Sequence, residues 1–222
     1  MFHLRPTLPR HNVTRDADVV LEFLKKWSPA KHLPFSQLTL KVILLSLSVS
    51  GHRGQAIWMM GLCNMTRSRD DVRCQLLKTS TPAQHQSEIV FGAFPADKSL
   101  CVVRYLHHYL KRARSLRGSE TKLFTSWKNP YKALSRDTTR RWTKLGLQKV
   151  GIDMSTITPH STTAASSSKA AQKILLKTVL RTVGWRRASA FAVVVFCFFL
   201  PQTGVERDSV WECCVVMTAE GM

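Results

Sequence analysis

The sequence predicts an α+β fold, mainly α with a small antiparallel β-hairpin or sheet. Apolar residues recur at three- and four-residue spacings through most of residues 16–150, the signature of helices with one buried face. One stretch after residue 71 switches to strict alternation and runs into a polar turn, which is the pattern of a hairpin. The chain has 222 residues with 44% hydrophobic content, enough for one ordinary packed domain.

Residues 2–12 carry Pro6, Pro9 and basic or histidine positions without period, so they are expected to be a loose arm. Thr14 is a suitable N-cap, and Val19, Val20, Phe23, Leu24 and Trp27 are expected to share one helical face before Ser28-Pro29 stops the element. Residues 36–50 carry Leu38, Leu40, Val42, Ile43, Leu44, Leu45 and Leu47 nearly all round, as in a helix buried on every side, and Gly51 breaks it. A short helix is then expected to restart at His52 and run to Met60, with its first residues at an exposed N-terminal end.

The hairpin comes next. Val72, Cys74 and Leu76 alternate with Arg73 and Gln75, residues 80–86 form a polar turn containing Pro82, and Ile89, Val90 and Phe91 resume the apolar run. Leu100, Val103, Leu106 and Leu110 then fall at helical spacings, followed by the cations Lys111, Arg112 and Arg114, which suit the C-terminal end of a helix dipole. Residues 122–127 read as a short strand or ordered loop. Residues 135–150 read as a helix with Trp142, Leu145 and Val150 inward and Gly151 as its stop. A further helix is expected over residues 174–183, followed by Gly184-Trp185.

Charge points to a partner. Lys and Arg number 33 against 14 acidic residues, a formal net charge of +19, so a polyanion is expected, with nucleic acid ahead of an anionic membrane. From Ala188 onward one basic residue faces four acidic ones, so the excess sits on residues 1–187. The apolar run ASAFAVVVFCFFL after Arg186-Arg187 is shorter than the roughly 18 residues a membrane span requires, so membrane association is disfavoured. The opening residues lack the apolar run of a signal peptide, and the six cysteines show no paired spacing. Both features suggest reduced thiols in an intracellular protein.

An ordered series of motifs resembles the catalytic domain of tyrosine recombinases, the phage-integrase family, in the form carried by eukaryotic transposable elements. The series is VSGHR at 49–53, LLKT at 76–79, KSLCVVRYL at 98–106, SLRGSETKLF at 115–124, GID at 151–153, PHST at 159–162 and ILLKTVLRTVGW ending at Trp185. The resemblance implies a basic arm over residues 1–15, a recombinase-like domain over 16–187 and an apolar segment with an atypical tail over 188–222. It also implies double-stranded DNA as partner, association with other recombinase subunits, a nuclear location and no cofactor. The family's chemistry joins a tyrosine hydroxyl to a DNA phosphate and then reverses the step, using neither metal nor nucleotide.

Site residues follow from the same resemblance. Arg53 would clamp the non-bridging phosphate oxygens, where a guanidinium fork outperforms a lysine. Lys78 would protonate the leaving 5′-oxygen, His160 would serve in acid/base and hydrogen-bonding roles, and Trp185 would stand against the phosphate. Lys169, Lys173 and Arg181, on a four-residue spacing shared with Lys177, form either a solvated basic stripe or a DNA-facing one. Two members of the family's set are absent: Thr163 stands where the His-x-x-Arg signature has arginine, and Val195 lies where the nucleophilic tyrosine is expected. The expectation is a C-terminally degenerate copy that binds DNA without cutting it. Two alternatives stay open: an enzyme completed by a tyrosine donated in trans, and a basic membrane-associated protein.

Overall fold

The computed structural model describes residues 17–52, 54–76 and 88–152. Five helices and a three-stranded antiparallel sheet appear in the order α1 (Ala17–Lys25), α2 (Phe35–Ser50), α3 (Gly54–Met59), β1 (Met65–Arg67), β2 (Asp71–Gln75), β3 (Glu88–Gly92), α4 (Val102–Ala113) and α5 (Arg136–Lys149). The α+β class expected from the sequence is the class observed.

Helix α2 is the centre of the domain, in contact with α1, α3, α4, α5 and β3. Residues 38 to 49 are all buried, as the apolar run implied. The helix ends because Gly51 takes a left-handed φ of 62°, a conformation that glycine adopts without steric cost and that closes a helix C-terminus. Lys41 is a charged residue in this buried run. Its Nζ donates to the carbonyl of Leu24, in the last turn of α1, at 2.8 Å and to that of Trp27, just past its end, at 2.6 Å. It also lies 3.8 Å from the centroid of the Tyr105 ring. An ammonium here adds a second donor to two carbonyls at the end of α1, at the expense of leaving water.

The sheet has the order β1-β2-β3. Val72 faces Phe91 and Cys74 faces Ile89 across the β2–β3 ladder, and all four are buried on one face of the sheet. Strand β1 was not expected from the sequence; it pairs with β2 from Met65↔Cys74 to Arg67↔Val72. Residues 77–87, which join β2 to β3 and include the expected polar turn, lie outside the described residues.

Helix α4 packs on α2 through Tyr109, whose ring stacks on Phe35 at 5.5 Å between centroids. The Tyr109 hydroxyl accepts from the backbone N–H of Thr125 at 3.0 Å, which fixes the loop that follows α4. Arg117 strengthens that loop by donating to the carbonyls of Lys122 and Leu123. The stretch 122–127 is an ordered loop with isolated bridges, Gly61 to Lys122 and Thr125 to Ala133, so it joins no strand of the sheet. Helix α5 is capped by Ser135, whose side chain accepts from the Thr138 N–H, and it lays Trp142 flat on Trp127 at 3.4 Å. Gly146 sits against Leu44 of α2, so close that a Cβ there would meet Leu44 Cδ1 at 2.7 Å.

Several expectations are corrected. Val19 is 51% exposed and Leu145 38% exposed, although both were assigned to inward faces. The α5 stripe that goes inward is Thr139, Trp142, Thr143, Gly146 and Leu147, in which Gly146 allows the close approach to Leu44 of α2. His52 is buried rather than at an exposed helix start, and α3 begins two residues after it. Helix α1 ends at Lys25, before Trp27. Among the described residues no helix is long and apolar enough to cross a membrane.

Candidate nucleic-acid interface

Every site residue expected from the sequence lies outside the described residues: Arg53, Lys78, His160 and Trp185, together with Lys169, Lys173 and Arg181. The elements leading to them are described. Gly51 and His52 precede Arg53 on the chain. The His52 imidazole is buried and its Nδ1 lies 3.1 Å from the Ser50 carbonyl. Burial pulls its pKa down to about 4, against the smaller opposing effect of that carbonyl, so the ring is neutral at physiological pH. Strand β2 and Leu76 lead toward Lys78, and α5 with Gly151 and Ile152 leads toward the PHST motif.

The described residues add a surface the sequence reading did not single out. On α5 the side away from the buried stripe carries Arg140, Arg141 and Lys144, with Arg136 in the first turn and Lys149 in the last, all five exposed, and Asp137 is the helix's sole carboxylate. The 14-residue helix is about 21 Å long, so these cations line a rod of helix comparable to several phosphate spacings. None of the five takes part in an ion pair among the described residues. Lys128 and Lys132 are exposed in the loop before it. The tryptophan stack and the Trp58 Nε1 bond to the Leu134 carbonyl at 3.0 Å hold this end of the domain together. The signal for these cations was present in RDTTRRWTKLGLQK: they are the positions left over once Trp142 and Leu147 are placed inward.

Such a row attracts a polyanion without reading its sequence, since arginine and lysine contacts to phosphate carry affinity and register but not base identity. Among the described residues no three His, Cys, Asp or Glu side chains come together as a metal-binding group. The three tyrosines of the chain are all described. Tyr105 and Tyr109 are buried, with their hydroxyls bonded to Ser28 and to the Thr125 N–H, and Tyr131 is half-buried in a turn.

No protein-family model and no curated protein sequence matches the chain. Solved structures do match its fold. XerA recombinase aligns with a TM-score of 0.62 at 16% identity, over 86% of this chain and 60% of that one. XerH site-specific recombinase, in a pre-cleavage complex with its difH substrate, aligns at 0.61 and 14% identity over 85% of this chain and 50% of that one. A lambda integrase dimer bound to a COC′ core site aligns at 0.55 and 14% identity over 90% and 64% of the two chains. The chain therefore has the fold of tyrosine recombinase catalytic domains. It spans 60% of the length of XerA recombinase and half that of XerH.

Proposed function

We propose that this chain is a DNA-binding domain of the DNA recombination and integration class, of the type carried by eukaryotic transposable elements and acting in the nucleus. The observation that carries the reading is the unpaired cationic face of α5 on a fold shared with recombinases whose structures hold DNA substrates. The partner is double-stranded DNA held by its phosphates. The three outward α5 cations, Arg140, Arg141 and Lys144, alone predict that log K for a short duplex falls with log salt concentration at a slope of about −3. Arg140→Ala combined with Arg141→Ala should make that slope shallower by about 2, and a wild-type slope near zero would remove the nucleic-acid reading.

The same reading makes this a copy that does not cleave. Thr163 replaces an arginine whose loss at a phosphoryl centre costs on the order of 10³ to 10⁵ in rate, and Val195 replaces the nucleophile itself. The buried, hydrogen-bonded Tyr105 and Tyr109 support it, because neither hydroxyl is free to attack. Nicked duplex substrates should trap no covalent adduct with the wild-type chain. An adduct in the double variant Thr163→Arg, Val195→Tyr would establish that the scaffold still aligns the phosphate.

Lambda integrase, whose solved assemblies are a dimer and a tetramer, supports a further element of the reading: association with other recombinase subunits. In that setting a tyrosine donated in trans would restore cleavage. Mixing the chain with a tyrosine-bearing recombinase of the same target would reveal it as adduct formation above that of either protein alone.

A further inference from the structure

Helix α4 divides cleanly into two faces. Val102, Val103, Tyr105, Leu106, Tyr109, Leu110 and Ala113 are buried against the core. Arg104, His107, His108 and Lys111 lie opposite at i, i+3, i+4 and i+7, one surface row of a helix, with Arg104 and Lys111 exposed and both histidines half-buried. Two neighbours enlarge the row. After burial, the cations that hold the His108 ring below its usual pKa are Arg104, Lys31, Lys111 and His107, which brings Lys31 of the α1–α2 loop to this face. His107 is held down by burial and then by Arg67 of β1.

Among the described residues no member of this cluster forms an ion pair, although Asp97 lines the same pocket as Arg104. The ion pairs among the described residues are Lys25 with Glu22, Lys25 with Asp97, and Arg73 with Asp71, and none involves the row. Like charges held together lower one another's affinity for protons, and a bound polyanion would relieve that. The row is also not the α5 face. α4 packs on α2 and β3, whereas α5 packs on α2 and α3, so the two rows belong to helices with different neighbours.

We propose that the Lys31, Arg104, His107, His108 and Lys111 face binds the sugar-phosphate backbone of a second duplex DNA segment, so that one domain holds two duplexes. This goes beyond the proposed function and rests on its DNA-binding reading. Duplex DNA is favoured over an acidic protein because protein partners dock through buried apolar and aromatic anchors. The large hydrophobic side chains exposed among the described residues are Val19 and Leu145, and neither lies on α4. Phosphate contact requires charge alone.

The test is a bridging assay with the full chain. One short duplex is immobilised, the protein is added, and capture of a second, fluorescently labelled duplex is measured alongside the binding stoichiometry in solution. Wild type should bridge and bind two duplexes. Arg104→Glu with Lys111→Glu should retain binding of the first duplex but lose capture of the second, and the milder Arg104→Gln with Lys111→Gln should lose most of it while its circular dichroism stays that of wild type. Capture by the α4 variants equal to wild type overturns the inference and leaves the α5 reading intact. Binding of a polyglutamate peptide that depends on Arg104 and Lys111, with no second duplex captured, overturns it in favour of an acidic protein partner. Failure of the wild-type chain to bind any duplex overturns both readings together.

Discussion

Replacing Lys41 by methionine measures what a buried ammonium does to this domain. The Nζ sits between the Leu24 and Trp27 carbonyls and over the Tyr105 ring. Burial lowers its pKa from 10.5 to about 7, with Asp97 opposing the shift. The folded chain therefore holds fewer protons at this site than the unfolded chain between those two values. Unfolding in that window takes up a proton, so stability rises with pH across it and the penalty is greatest below pH 7. Between pH 7 and about pH 9 the rise from this one group is about 2 kcal/mol. Methionine has similar length and no charge, so the stability difference between wild type and Lys41→Met should grow by that amount over the same interval, while every other titrating group cancels. The substitution leaves neither carbonyl bare, because Leu24 O still accepts from the Trp27 N–H and Trp27 O from the Tyr105 hydroxyl. Urea unfolding followed by tryptophan fluorescence at the two pH values reads the difference directly. A wild-type minus variant stability that is the same at both would show that the site stays charged in the fold and that the reasoning is wrong.

Two further outcomes follow from the core. Gly146→Val would push branched carbons into Leu44 and should destabilise by about 1–3 kcal/mol in the same urea assay, with the loss reduced in a Leu44→Ala background. His52 is neutral in the fold with its pKa lowered from 6.5 to about 4, so the unfolded chain takes up a proton first and stability is lost as pH falls through that range. His52→Asn should remove that acid sensitivity between about pH 6.5 and 4, which thermal melts across the range would register as a flatter profile.

The fold was legible wherever apolar spacing is strong. The continuous burial of α2, its stop at Gly51 and the capped start of α5 at Ser135 each follow from local chemistry that the chain carries on its own. Strand β1 was not legible, because three residues with half-buried and exposed side chains have no alternation, and their place is set by main-chain pairing to β2. Val19 and Leu145 were misplaced for a different reason. Spacing alone leaves adjacent helical phases close in merit, and on α5 the buried stripe includes Thr139, Thr143 and Gly146, which carry little hydrophobic signal, with Gly146 set against Leu44 of α2. Lys41 could not be foreseen in a core, since its partners are carbonyls at the end of α1, distant in sequence.

The candidate site divides in the same way. Arg53, Lys78, His160 and Trp185 came from motif order, which fixes sequence position and says nothing of distance between them. The α5 cations came from geometry. Arg140, Arg141 and Lys144 become a surface only after Trp142 and Leu147 have been turned inward.

The burial of α2 has a consequence for how such a domain changes over time. Because α2 touches all the other described helices and β3, a substitution along it disturbs several packing interfaces together. The outer rows of α4 and α5 are held by that helix yet share almost none of its contacts, so their charges are free to be reversed, lost or multiplied without touching the core. A chain built this way can change the charge of its outer rows while its fold stays the same.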